Sequence, residues 1–209
     1  MIQIMLVIDD PMLGRLLEEY FNYMKLEYVV QRTDSVSIVD AVPAGNPIDL
    51  FLLDIGRETG AVNIKKAERI KSSYPHIKSL MITDLPDPGL MERAYKTGID
   101  SFWYKNSDLE DLVSIIEKTI GGERVFPTES KVVSFGNAFS DDMTKRELEV
   151  LREVADGETD AAIAQKLHIS LRTVKGHIQS MREKTGFRNR TELAVRARAC
   201  GLVINTLNR

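Results

Sequence analysis

Asp9, Asp10, Asp54, Thr83 and Lys105 all stand where an apolar run gives out. "IQIMLVI" leads into Asp9 and Asp10, "IDLFLL" into Asp54, "IKSLMIT" closes on Thr83, and "SFWY" is followed by Lys105. As strand ends sharing one edge of a sheet, they would bring together three carboxylates, a hydroxyl and an ammonium. Three carboxylates in one crevice repel, so they retain protons or hold a cation. Oxygen ligands that leave positions for water suit Mg²⁺. A lysine and a hydroxyl beside them suit an anion. These are the parts needed for phosphoryl transfer to Asp54, with cation and lysine neutralising the non-bridging oxygens while the carboxylate attacks in line. Any one of these residues alone reads as a polar strand end meeting water. The set, in this order, is hard to obtain by chance.

Positioning these groups requires strands that end together. Periodicity predicts strands at 2–8, 28–31, 48–53, 77–83 and 101–104, two of them apolar on both faces, as strands covered by helices on both sides must be. Helical patterns fall near 11–24, 34–42, 61–73, 87–97 and 107–120. The last opens with a Ser107–Glu110 capping box and stops at Gly121-Gly122. Alternating strands and helices give a parallel sheet with right-handed crossovers. Ligands of such sheets sit at the carboxyl ends of the strands. Residues 122–141 show no period and read as a linker, partly docked on the first domain. Beyond it the strand signal disappears. Four helices follow over 142–209, the first with a Thr144–Glu147 capping box and an end at Gly157.

Composition agrees with two parts. The formal net charge of −3 divides unevenly. Residues 1–139 carry 15 Lys+Arg against 21 Asp+Glu, giving −6; residues 140–209 carry 13 against 10, giving +3. Within 166–209 the count is 10 against 2, giving +8, a balance that suits a polyanion. A basic helix surface can also be merely solvated. No apolar run reaches the roughly 20 residues of a membrane span, and "MIQIMLVIDD" lacks the basic start and cleavage site of a signal peptide. The single cysteine, Cys200, excludes an internal disulfide framework and a cysteine-based zinc site. A cytoplasmic location is the expectation.

Residues 1–121 resemble a response-regulator receiver domain. The residues that carry the resemblance are the Asp9-Asp10 pair, Asp54 as phosphoacceptor, Thr83 as switch hydroxyl and Lys105 as the phosphate-side lysine. The resemblance implies a flavodoxin-like, doubly wound α/β fold with five parallel strands. It also implies that the Gly56 carbonyl contributes to the metal site with Asp9, Asp10 and Asp54, and that Phe102, three residues before the lysine, is the aromatic that responds to activation. The sequence departs from the pattern in two places. "GRETG" replaces the usual Met-Pro pair after the acceptor, and Asp84 replaces the usual small residue after the switch threonine, putting a carboxylate close to the expected phosphoryl group.

Residues 143–201 resemble the LuxR-type helix-turn-helix of the NarL/FixJ class of response regulators, through "MTKRELEVL", Gly157, "IAQKLHISLRTVKGHIQSMREKTG" and "NRTEL". If Val174, Ile178 and Met181 face inward, Arg172, Lys175, Gly176 and Gln179 fall outward or on the flank. Lys and Gln can read base edges. Gly176 costs about 1 kcal/mol of helix propensity relative to Ala, which hints at a close approach. Thr173 and His177 suit phosphates. The family faces Lys175, Gly176 and Gln179 to bases, and Thr173 and His177 to the backbone. Arg182, Lys184, Arg188 and Arg190 are candidates for a solvated face. In the second helix, Asp160, Ala161 and Ala162 replace a usual Asn–basic–Glu pattern and remove an internal ion pair. The resemblance gives the dimer contact to the last helix. Val195 and Ala199 are candidates for that contact or for core packing.

The sequence thus points to a two-domain regulator rather than an enzyme: a receiver at 1–121, a linker at 122–141 and a DNA-binding domain at 142–209. The implied partners are a sensor histidine kinase, duplex DNA and a second copy of the chain when active, with Mg²⁺ as cofactor. One alternative keeps DNA binding but makes the receiver independent of phosphorylation. Another is an aspartyl-phosphate phosphatase, which needs an Asp-x-Asp arrangement where this chain has "DIG".

Overall fold

The computed structural model describes residues 2–8, 10–24, 28–33, 48–56, 60–105, 107–128 and 131–203. The chain divides into two compact units, Met1–Asp84 with Gly89–Thr128, and Leu85–Pro88 with Glu129–Arg209. The expected helix at 34–42 lies outside the described residues.

The first unit alternates β1 (Ile2–Val7), α1 (Pro11–Tyr23), β2 (Tyr28–Thr33), β3 (Leu50–Ile55), α2 (Gly60–Ser73), β4 (Lys78–Thr83), α3 (Pro88–Lys96), β5 (Ser101–Tyr104) and α4 (Leu109–Ile120). The strands form one parallel sheet in the order β2-β1-β3-β4-β5. Every residue of β3 is buried, as are the last five of β4. On one face Leu6, Leu52, Leu80, Ile82 and Trp103 pack with Leu17 and Phe21 of α1 and Leu112 and Ile116 of α4. The alternate residues Phe51, Leu53, Met81 and Phe102 are buried as well, which is why these strands lack polar alternation. Each such side chain contributes about 1.5–3 kcal/mol relative to exposure. That burial fixes a strand whose end carries a charge.

The amino-terminal edge of the sheet has its own pin. Asp100 accepts from Lys71 Nζ at 2.6 Å, Ser79 N at 2.9 Å and Ser79 Oγ at 2.8 Å. Burial pushes its carboxyl up, but the hydrogen bonds from Lys71 and Ser79 outweigh it and hold the pKa below the usual aspartate value.

One local expectation changes. The Ser107–Glu110 capping box does not form: α4 starts at Leu109 with Asp108 as N-cap, and no side chain closes the cap. Ser107 N is instead donating back to Tyr104 O at 2.9 Å, so the chain is still turning out of β5 at that point. Within residues 122–141 the expected partial docking on the first unit is present, and a hairpin that no period announces is added. Val125 forms a parallel bridge with Ser101 at the edge of β5. Ser134–Phe135 (β6) and Ala138–Phe139 (β7) make an antiparallel hairpin.

In the second unit this hairpin and a 3-10 turn, Ser140–Asp142, precede α5 (Lys145–Ala155), α6 (Asp160–Lys166), α7 (Leu171–Thr185) and α8 (Arg190–Ala199). The Thr144–Glu147 capping box forms in both directions. The core gathers Phe135, Leu148, Leu151, Val154, Ile163, Val174, Ile178, Met181, Leu193 and Ala197. Gly136, at φ +69°, turns the hairpin against the end of α7. A Cβ there would lie 2.3 Å from Thr185 O, so only glycine fits.

Candidate functional site

Strand order reverses between β1 and β3, leaving a crevice at their carboxyl ends. Asp54 is the penultimate residue of β3, paired in the ladder with Ile82, and is 6% exposed. Lys105 Nζ lies 2.6 Å from Asp54 Oδ1. Lys105 is aimed there because its backbone N–H still donates to Thr83 O at 2.8 Å, prolonging the β5 ladder. Thr83 ends β4 fully buried, and its Oγ1 donates to Ile55 O at 2.7 Å. The structure therefore gathers Asp54, Thr83 and Lys105 at three adjacent strand ends.

Asp10 sits at the same edge, after β1. It is exposed and caps α1, its Oδ1 accepting from Met12 N at 2.8 Å and Leu13 N at 3.3 Å. Gly56 follows β3 directly and is half-buried, as is Asp84 after Thr83. Asp9 lies outside the described residues, as do Arg57, Glu58 and Thr59 of "GRETG". Among the described residues no three acidic, histidine or cysteine side chains group as a metal site. Phe102 is fully buried, its ring edge-on to Tyr104 with centroids 5.1 Å apart.

The second candidate site is the α6–turn–α7 surface. Val174, Ile178 and Met181 are buried. Arg172, Thr173, Lys175, Gly176 and Gln179 are exposed, and His177 is half-buried. Ser170 caps α7, accepting from Thr173 N at 3.0 Å, with the two hydroxyl oxygens 2.8 Å apart. Gln179 donates to Glu183 at 2.7 Å and accepts from Arg182 at 3.2 Å. A Cβ at Gly176 would meet nothing within 4 Å, so the fold does not require glycine there. His168, in the turn before α7, has φ 53°.

Several basic side chains are committed inward. Arg182 donates to the carbonyls of Phe187 and Arg188, and Lys184 to Asp142 O at 2.9 Å and Glu147 at 2.7 Å. Arg190 donates to Glu158 O and pairs with Asp160 at 3.1 Å. Ala162, in place of the usual Glu, removes one internal ion pair; Asp160 makes a different one, with Arg190 of α8. Arg188 remains exposed, and so do Val195 and Ala199 on α8, which are surface rather than core.

A family model described as GerE, bacterial regulatory proteins of the luxR family, matches residues 141–197. The transcriptional regulatory protein DesR of Bacillus subtilis (strain 168) is 32% identical over 202 residues, covering 96% of this chain and 98% of DesR. The response regulator protein VraR of Staphylococcus aureus (strain Mu3 / ATCC 700698) is 31% identical over 155 residues, covering 71% of this chain and 73% of VraR. The chain belongs to the LuxR-family response regulators. Solved response regulators share its fold. A complex of the two-component response regulator RcsB with DNA has a TM-score of 0.60 at 19% identity, covering 93% of this regulator and 96% of RcsB. RcsB from Salmonella enterica serovar Typhimurium, bound to promoter rprA with the phosphomimetic BeF3−, has a TM-score of 0.58 at 21% identity, covering 94% and 98%.

Proposed function

We propose that this regulator accepts a phosphoryl group on Asp54 and thereby controls binding of α7 to duplex DNA. The observation that carries the proposal is the buried Asp54 carboxylate, at the point where strand order reverses, with Lys105 Nζ 2.6 Å away and Thr83 on the neighbouring strand end. An Asp54 oxygen attacks phosphorus, and the P–N bond of a kinase phosphohistidine, or the P–O bond of acetyl phosphate, breaks. Imidazole or acetate leaves, and an acyl phosphate remains on Asp54. Lys105 moves from the carboxylate to the new phosphoryl oxygens. Thr83 Oγ1 then has a stronger acceptor than the Ile55 carbonyl to which it now donates. The donors suit Mg²⁺: hard oxygens from Asp54, the Gly56 carbonyl and Asp10, whose two capping bonds both end on Oδ1. Asp9 would complete the set. Bound there, Mg²⁺ would supply charge neutralisation at the transferring group.

At the DNA, Lys175 and Gln179 are the side chains proposed to meet base edges, with Gly176 allowing close approach and Arg172 on the flank. Thr173 and His177 are assigned to phosphates. Dimerisation through the exposed Val195 and Ala199 would match the twofold symmetry of paired half-sites. A second reading, a receiver that works without phosphorylation, is favoured by one observation: the Asp84 carboxylate directly follows Thr83, where it would oppose a dianion.

Labelling with acetyl phosphate and Mg²⁺ separates the two. Wild type is expected to gain one phosphoryl group and Asp54→Asn none. An Asp54→Asn protein that labels to the same stoichiometry would overturn the acceptor assignment.

A further inference from the structure

Residues 166–209 hold ten Lys+Arg but only two acidic side chains, Glu183 and Glu192. Glu192 has a local role: it stands in the first turn of α8 and accepts from Arg188 N at 2.9 Å. Glu183 is exposed, one helical turn beyond Gln179 in α7. A carboxylate there repels phosphates and lowers affinity for any DNA. Its hydrogen bond goes to a side chain proposed to meet a base edge: Gln179 Nε2 donates to Glu183 Oε1 at 2.7 Å.

The other end of the same amide is held as well. Gln179 Oε1 accepts from Arg182 Nη1 at 3.2 Å. Arg182 cannot follow a moving side chain, because its Nε donates to Phe187 O at 3.4 Å and its Nη2 to Arg188 O, both in the turn before α8. The guanidinium is a fixed donor, anchored on backbone. With that donor on one side and a carboxylate, which only accepts, on the other, the amide has one orientation. Turned over, it would set Nε2 against Arg182 Nη1 and Oε1 against the Glu183 carboxylate, donor on donor and acceptor on acceptor.

We propose that Glu183 and Arg182 are positioning residues that lock Gln179 to read adenine and reject guanine. The inference rests on Gln179 meeting a base edge, as in the function proposed above. A side-chain amide carries two hydrogens and two acceptor lone pairs. One hydrogen goes to Glu183 and one lone pair to Arg182, so one of each is left for the groove. Within a single base, only adenine offers the matching pair, the N7 acceptor beside the N6 amino donor. Guanine shows two acceptors, N7 and O6, and the Oε1 lone pair would face one of them. An unheld glutamine escapes that clash by rotating until both amide hydrogens face guanine. Here Glu183 keeps one hydrogen and Arg182 holds the oxygen. The carboxylate therefore lowers affinity for all sequences and raises discrimination at one base pair, by excluding the wrong base.

The test measures base preference, which a merely structural residue leaves alone. The full chain, with and without acetyl phosphate and Mg²⁺, selects from a pool of randomised duplexes, and the bound duplexes are sequenced. The position whose preference Gln179→Ala abolishes is the one that Gln179 reads. There, wild type is expected to favour adenine over guanine roughly tenfold or more. Glu183→Ala is expected to lower that ratio about threefold or more, with preferences at other positions intact. In the Gln179→Ala background, Glu183→Ala is expected to change no ratio. A Glu183→Ala protein that binds all duplexes more tightly with the adenine ratio intact overturns the positioning role, because the carboxylate then acts as a charge alone. Gln179→Ala preferences that match wild type everywhere, or a marked position that does not favour adenine, overturn it too and leave DNA binding standing. Failure of the wild-type chain to select any sequence overturns the DNA assignment of α7 and the proposal together.

Discussion

Two glycines of the DNA-binding unit show how differently the same residue type can be used. Gly136 has a positive φ and backbone within 2.3 Å of any added Cβ, so the fold itself demands it. Gly176 is exposed, within a regular helix, and has open space where a side chain would be. Nothing inside the molecule compensates its helix cost. An outside surface that comes close would, and in the proposed function that surface is the DNA. Gly176→Ala is therefore expected to raise the stability of the second unit by about 1 kcal/mol while weakening binding to a specific duplex. Urea unfolding and fluorescence anisotropy on the same preparation check this; a variant that gains stability and keeps full affinity would remove Gly176 from the interface.

Among the elements, α5 and α7 are tied by a single carboxylate. Glu147 is the N3 residue of α5, accepts from Thr144 N at 2.8 Å in the capping box, and also receives Ser180 Oγ and Lys184 Nζ of α7, both at 2.7 Å. Burial pushes its carboxyl up, but Lys184, Thr144 and Ser180 together bring it down to about 2, from 4.5. The folded value lies below the unfolded one, so the stabilisation is full above about 4.5 and is lost as pH falls toward 2. Its size is on the order of 3 kcal/mol. Glu147→Gln is expected to lower the urea midpoint of the second unit at pH 7, with the gap to wild type narrowing by pH 3. NMR amide signals of α5 and α7 would report it; a gap independent of pH would show that the ion pair contributes nothing.

The same elements show what could be read in advance. The α7 core of Val174, Ile178 and Met181 was legible because helix spacing alone fixes which residues share a face. The acceptor crevice was legible because a parallel sheet brings its strand ends to one edge. The two capping boxes were equally clear as patterns, yet only Thr144–Glu147 formed. Ser107 failed because its N–H still belongs to the turn out of β5, a tertiary fact that no local pattern contains. The docked part of the linker, residues 124–126, shows no period for a related reason. Its anchors are single residues, Arg124, Val125 and Phe126, each held by a different partner, and such contacts leave no period. The inward use of Arg182, Lys184 and Arg190 was hidden because their partners are carbonyls or carboxylates on other segments.

At the scale of the whole molecule, the charge asymmetry has to be recounted with these commitments in mind. Residues 166–209 carry ten Lys+Arg, which on composition alone would suggest a strongly salt-dependent polyanion binder. Arg182, Lys184 and Arg190 are held internally, Lys166 pairs with Glu153 at 2.6 Å, and Arg198 lies 3.8 Å from Asp156. Arg209 lies outside the described residues. Arg172, Lys175, Arg188 and Arg196 are left exposed, without an ion pair among the described residues. Each phosphate neutralised contributes about −0.9 to the slope of log K against log salt concentration. Even if all four met phosphates, the slope would be no steeper than about −3.6 per protomer, where ten would give about −9. The acidic first unit opposes the field at long range, and salt screens that opposition too. Binding of the full chain to duplex DNA, followed by anisotropy from 50 to 200 mM salt, is expected to give the shallower slope. Arg172→Ala should reduce it by about one unit, whereas Lys184→Ala should leave it unchanged while destabilising the second unit. A slope near −9, or a Lys184→Ala variant that lowers it, would mean that the inward-held cations turn outward to the DNA.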